Sequence, residues 1–149
     1  MVEAWCWSEV SADEDPFEDR PAIVNCANDA WSVEELGGEW SLGIDTSNCD
    51  YLTVSQPNLI EMLEGDSLSM RLWHFELTNN ESAEAHAAIS TKNEILWEEW
   101  IAIPSQSGMS APEWLAPSDI PRGTEIFFHL HNHGSNAWNL MDVVGTPTQ

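Results

Sequence analysis

The sequence predicts an all-β fold: an antiparallel β-sandwich, a jelly roll of about eight strands. Three observations point there. Short alternating or β-rich runs recur at spacings of about 8–12 residues. Clusters of Gly, Pro, Asn and Asp separate them. A helix-like pattern is confined to one short phrase, "NDAWSVEEL" (28–36), with Asn28 or Asp29 as cap and Gly37-Gly38 as stop. A chain of 149 residues is expected to form one domain with a real core.

Residues 1–22 read as an extended acidic N-terminal segment, and residues 23–149 as the sandwich. In the segment, "SADEDPFEDRP" is bracketed by Pro16 and Pro21, and Trp5 and Trp7 share a face if they lie on a strand. The strands then follow in order. "WSLGID" (40–45) and "YLTVSQ" (51–56) come first, the second stopped by Pro57, then "LIEML" (59–63). "SLSMRLWHFELT" (67–78) is the longest expected strand, with Leu68, Met70, Leu72 and His74 on one face. "AEAHAAIS" (83–90) is Ala-rich, but its place between two strong strands argues for a strand over a helix. "EILWEEWIAIP" (94–104) is a strand and "SQSGMSAPEW" a loop. "TEIFFHLHNH" (124–133) and "AWNLMDVV" (137–144) are expected to pair around Gly134-Ser135-Asn136.

Composition excludes some functions. Twenty-six acidic residues face four basic ones, a formal net of −22. Such a chain has no basic stripe with which to replace the counterions of phosphates, so nucleic acid is excluded as a partner. Anionic membrane surfaces are disfavoured for the same reason. There is no apolar run long enough to form a membrane span and no signal-peptide pattern at the start. The EF-hand calcium loop, the G-x-S-x-G elbow and the phosphate loop are missing. Of Cys6, Cys26 and Cys49, none forms C-x-x-C. A Cys26–Cys49 disulfide is the favoured pairing. It would close a loop of about 24 residues and add about 3 kcal/mol. It also implies an oxidising compartment, extracellular or periplasmic. Cys6 is left over, to be free, to pair between chains or to exchange partners.

The densest chemistry is "FFHLHNHG" (127–134), with three of the five histidines. On a strand, Phe127, His129, His131 and His133 share one face, and Phe128, Leu130 and Asn132 hold the other to the core. Imidazoles two apart on a strand stand about 6.5–7 Å apart. Two of them can converge on one metal at about 2.0–2.1 Å per bond, with a neighbouring strand completing the set. Zinc or copper suits nitrogen ligands. His74 and His86 are the remaining candidate ligands. The alternative is a row of imidazoles that only hydrogen-bond neighbours or line a ligand edge.

Residues 123–131 (Gly123, five residues, His129, Leu130, His131) resemble the opening of the first cupin motif, in which two histidines enter a metal. The Glu that should follow is absent, and too few residues remain for a second motif. A broader resemblance covers most of the chain. It rests on "DPFED" (15–19), Trp31, "GGEWSLGI" (37–44), "SQPNLIEMLEGDSLSMRLWHF" (55–75) and "WNLMDVV" (138–144). These resemble the galactose-binding-like jelly-roll sandwiches, including carbohydrate-binding modules of the family 4 and 9 type. The chain is also similar to secreted bacterial proteins ending in "HNHGxNxW".

The resemblance implies the sandwich and a secreted location. The expected function is a non-catalytic ligand-binding module, with carbohydrate as a ligand class. Its candidate binding residues are Trp73, Phe75, Trp97, Trp100, Asn136 and Asn139, with Glu98 and Glu99 nearby. Glu98 and Glu99 are adjacent on a strand, so they face opposite ways and do not suit a glycosidase pair. The alternative is a zinc- or copper-binding metalloprotein or enzyme using His129, His131 and His133, with Glu76 or Glu125 as acid or base. A third reading is an assembly protein joined through Cys6.

Overall fold

The computed structural model describes residues 1–3 and 6–148. Its strands form two antiparallel sheets packed face to face, and no helix occurs among the described residues. The strands are β1 (Ser8–Glu9), β2 (Trp31–Leu36), β3 (Glu39–Asp45), β4 (Tyr51–Pro57), β5 (Ser67–His74), β6 (Ala83–Ser90), β7 (Ile95–Ile103), β8 (Gly108–Ser110), β9 (Glu113–Leu115), β10 (Glu125–Asn132) and β11 (Ala137–Thr146). Eight of them have six or more residues. One sheet runs β1-β4-β10-β6-β7; the other runs β2-β3-β11-β5-β8, with β9 also on β5.

The core lies between the sheets, where the inward positions of each strand meet. Leu68, Met70 and Leu72 of β5 point in, with Ser67, Ser69 and Arg71 less buried between them. Phe128 and Leu130 of β10 and Trp138, Leu140 and Val143 of β11 join the same cluster. The step from Leu140 to Val143 spans a register shift in the β11–β5 pairing. That extra residue returns the inward side chains to the core side. Trp7 is buried with its ring 6.4 Å from that of Phe128. Trp5, expected to share its face, lies outside the described residues.

Several expectations are corrected. Residues 28–36 are not a helix. Trp31–Leu36 is strand β2, paired with β3 in register Trp31↔Ile44 to Leu36↔Glu39. The glycines expected to stop a helix make the hairpin: Gly37 and Gly38 have φ of 63° and 91°, which a tight two-residue turn requires. "LIEML" is not a strand; Met62 makes only an isolated bridge to Ile120. Ser67–His74 is shorter than expected, and β11 is the longer strand. The segment read as a loop after residue 104 holds β8 and β9, which lie along β5.

The largest correction concerns the last two long strands. β10 and β11 are not partners: β10 sits between β4 and β6, and β11 between β3 and β5 in the opposite sheet. The connection crosses the sandwich. Gly134 passes so close to its neighbours that a Cβ there would stand 2.9 Å from Ile103 Cδ1 and 3.0 Å from the Thr78 carbonyl. Asn136, with φ 124°, then turns the chain into the second sheet. The Cys26–Cys49 disulfide is formed, and the two residues also share a backbone bridge. Cys6 is an exposed free thiol.

Candidate functional site

The outer face of the five-stranded sheet is organised by strand register into rows. Tyr51, His131, His86 and Trp100 stand side by side across β4, β10, β6 and β7. The next row is Thr53, His129, Ala88 and Glu98, and the next begins Ser55, Phe127, Ser90. Strand alternation explains the layout: Phe128 and Leu130 enter the core, so Phe127, His129 and His131 must face out.

That outer face is not open to water. Residues 10–20 cross it. The Val10 amide donates to the Thr53 carbonyl at 2.9 Å. Phe17 stacks on the His129 ring, with centroids 4.0 Å apart and planes at 17°. Val10, Phe17, Ala88 and Phe127 form a second, small apolar cluster. His129 is therefore 0% exposed although it faces away from the core.

Two carboxylates of the same segment hold the polar groups. Asp15, with its side chain 1% exposed, accepts from Arg20 Nη1 at 2.7 Å and from the Tyr51 hydroxyl at 2.9 Å. Burial first, and then the neighbouring Asp15 and Asp19 charges, keep the Tyr51 phenol protonated well beyond its ordinary range. Asp19 Oδ2 is the focus of the histidines. It faces His131 Nδ1 at 3.0 Å, His86 Nδ1 at 3.4 Å and His129 Nε2 at 3.4 Å. Burial works against the Asp19 charge, but hydrogen bonds from His129, His131 and His86 and the field of His129 outweigh it. They hold the carboxyl well below the usual carboxylate range. For His129, burial wins over the Asp19 carboxylate and pushes the imidazole pKa down. Its Nε2 lies 3.4 Å from Asp19 Oδ2 and its Nδ1 3.0 Å from the Thr53 hydroxyl.

His86 has its second nitrogen 3.1 Å from Glu98 Oε2 and its ring parallel to the indole of Trp100. Trp100 itself is 57% exposed. It borders two clefts. One, of about 380 Å³, runs past Phe17, Asp19, Ser90 and Ile95. The other, of about 490 Å³, runs past Asp19, Glu84, His131 and His133. The arrangement therefore offers a flat apolar ring between acidic walls. Beneath it, Asp19, His86 and His129 each offer one donor atom within 4.8 Å of the others.

The other expected site residues are scattered. His133 lies just past β10, its ring 4.5 Å from that of His131. His74 is on the opposite sheet, buried against Trp138 with Nδ1 bonded to the Phe75 carbonyl, so it joins no histidine cluster. Trp73 and Phe75 meet at the end of β5 in that sheet, with tilted rings 4.3 Å apart. Trp97 packs against the core near Trp114. Asn136 shapes the turn, donating to the Glu76 carbonyl at 3.0 Å. Asn139 is buried and donates to Glu34 at 2.7 Å. Glu99 turns the other way from Glu98 and meets the Ser110 hydroxyl. Of the six aromatic and amide candidates, only Trp100 joins the histidine face.

Sequence reading alone did not assign Asp15, Phe17, Asp19, Tyr51 or Thr53 to this site. One signal was present: a single Phe within an acidic run between two prolines is a side chain that must find apolar cover.

No protein-family model and no curated protein matches the chain. Solved structures do. The K1 cleaved adhesin domain of Lys-gingipain from Porphyromonas gingivalis W83 is similar at TM-score 0.50 and 15% identity, over 99% of this chain and 94% of that one. A carbohydrate-binding module specific for non-crystalline cellulose, CBM28, is similar at TM-score 0.50 and 9% identity, over 95% and 97%. A CBM61 module in complex with β-1,4-galactotriose is similar at TM-score 0.49 and 11% identity, over 83% and 86%. At these identities the likeness is one of fold. The chain has the jelly-roll β-sandwich fold found among carbohydrate-binding modules.

Proposed function

We propose that this sandwich is a secreted, non-catalytic module that binds a neutral carbohydrate on the outer face of its five-stranded sheet, with Trp100 as the platform. The observation that carries this reading is the fixed, exposed indole of Trp100 between two clefts that also share Asp19. A pyranose presents an apolar C–H face and a rim of hydroxyls. A rigid aromatic plane suits the first, and carboxylates such as Asp19, Glu84 and Glu94 along the clefts suit the second. The net charge of −22 argues against polyanionic glycans and for neutral ones. In this reading Pro16, Phe17, Glu18 and Asp19 of the N-terminal segment form a wall of the groove. The Cys26–Cys49 bridge supports an extracellular or periplasmic location. No helix among the described residues is long and apolar enough to cross a membrane.

The test is affinity electrophoresis against a panel of neutral polysaccharides, with tryptophan fluorescence quenching by the matching oligosaccharides. Retention that falls at least tenfold in Trp100→Ala supports the proposal. No retention on any glycan, or retention unchanged in Trp100→Ala, overturns it.

A further inference from the structure

We propose that Asp19, His86 and His129 form a site for a divalent transition metal, zinc foremost, which clasps the N-terminal segment to the sandwich. The site shares Asp19 with the proposed groove, but the inference does not rest on carbohydrate binding.

The two nitrogen–carboxylate spacings fit, and all three donor atoms lie within 4.8 Å of one another. His86 Nδ1 and His129 Nε2 each lie 3.4 Å from Asp19 Oδ2. In a tetrahedral centre with bonds of about 2.0–2.1 Å, neighbouring ligand atoms stand about 3.3–3.4 Å apart. Two imidazoles and one carboxylate are a donor set that zinc takes when it keeps a position open to a further ligand. Calcium and magnesium prefer oxygen throughout, so the nitrogens select against them.

The far sides of both rings are also occupied in the way metal-bound histidines require. Glu98 Oε2 stands 3.1 Å from His86 Nε2, and Thr53 Oγ1 stands 3.0 Å from His129 Nδ1. Outer partners of this kind fix the tautomer and aim the remaining lone pair at the metal. At His86 a carboxylate stands at each ring nitrogen, and the ring is buried beneath Trp100. His129 is wholly buried with its Nε2 turned to Asp19. His131 approaches the same Asp19 oxygen at 3.0 Å and steadies it.

The three ligands come from three separate parts of the chain: Asp19 from the covering segment, His86 from β6 and His129 from β10. A metal bound here ties the segment to two central strands.

The experiment uses the full chain without a His-tag, in a Cys6→Ser background so that the exposed thiol takes no zinc. Chelator-stripped protein is titrated with Zn²⁺ and, separately, Ca²⁺ by calorimetry, and its thermal midpoint and chymotryptic cleavage after Phe17 are followed. We expect one Zn²⁺ per chain, a raised midpoint, slower cleavage, and no such effect of Ca²⁺. Asp19→Asn and His86→Gln should each weaken zinc at least tenfold, Glu98→Gln about tenfold, and His133→Ala not at all. Asp19 is partly exposed, so its variant tests the site without opening the core. No stoichiometric zinc, or zinc affinity unchanged in Asp19→Asn and His86→Gln, overturns the proposal.

Discussion

The indole of Trp100 lies flat on the imidazole of His86, with ring centroids 4.1 Å apart and planes at 3°. One face of the indole is used to hold its own orientation, and the other is left to solvent. Platform and histidine cluster are thus mechanically joined. Removing the indole should cost about 1 kcal/mol of stability, the scale of a single aromatic contact. The loss in glycan affinity should be larger than that. Urea denaturation of Trp100→Ala beside its binding isotherm checks whether the two effects separate.

Phe17 is the apolar anchor of the covering segment, stacked on His129 and packed with Val10, Ala88 and Phe127. Phe17→Ala should destabilise by about 3 kcal/mol, at the low end for a buried aromatic truncation because the site borders a cleft. Hydrogen exchange should rise at residues 10–20 while the amides of β10 stay protected by β4 and β6.

Acid should weaken the fold through His129. Its folded pKa lies below its ordinary value, so the unfolded chain takes up protons first. The stability it contributes is complete above about pH 6.5 and is lost as pH falls through the folded pKa. Asp19 adds a second loss below about pH 4, because its folded pKa is depressed as well. The titratable groups around His129 are Asp15, Asp19, Tyr51, His86 and His131. The difference in urea midpoint between wild type and His129→Gln, measured from pH 7 to pH 5, should shrink as pH falls. A constant difference would mean that His129 is not the titrating group.

The Cys26–Cys49 bridge joins the start of the β2–β3 hairpin to the approach to β4. Replacing both with Ser should cost about 3 kcal/mol on the chain-entropy account. Native protein should show one thiol reactive to a small disulfide reagent, Cys6, and three after reduction and unfolding.

Much of the sandwich was legible because strand alternation leaves a periodic mark. β5, β7 and β10 fall where side-chain alternation and turn residues place them, β6 where its position between strong strands places it, and the split of β10 into a core face and a histidine face follows from period two alone. Partnership left no such mark. The short link Gly134-Ser135-Asn136 reads as a hairpin, yet β11 pairs with β3 and β5 in the other sheet, and Gly134 passes close to Ile103 on the way. Local pattern also misread residues 28–36, where pairing with β3 overrides a helix-like composition. The histidine row was found, but its acidic cover was not. The contact between Asp19 and His129 spans 110 residues, and nothing in either segment names the other.

β11 lies in the interior of its sheet, hydrogen-bonded on one side to β3 and on the other to β5. During synthesis those two earlier strands emerge with a vacancy between them. Their inner edges stay unpaired until residue 146 has left the ribosome. The six-stranded sheet is thus closed by β11, and its folding must wait for residues 137–146.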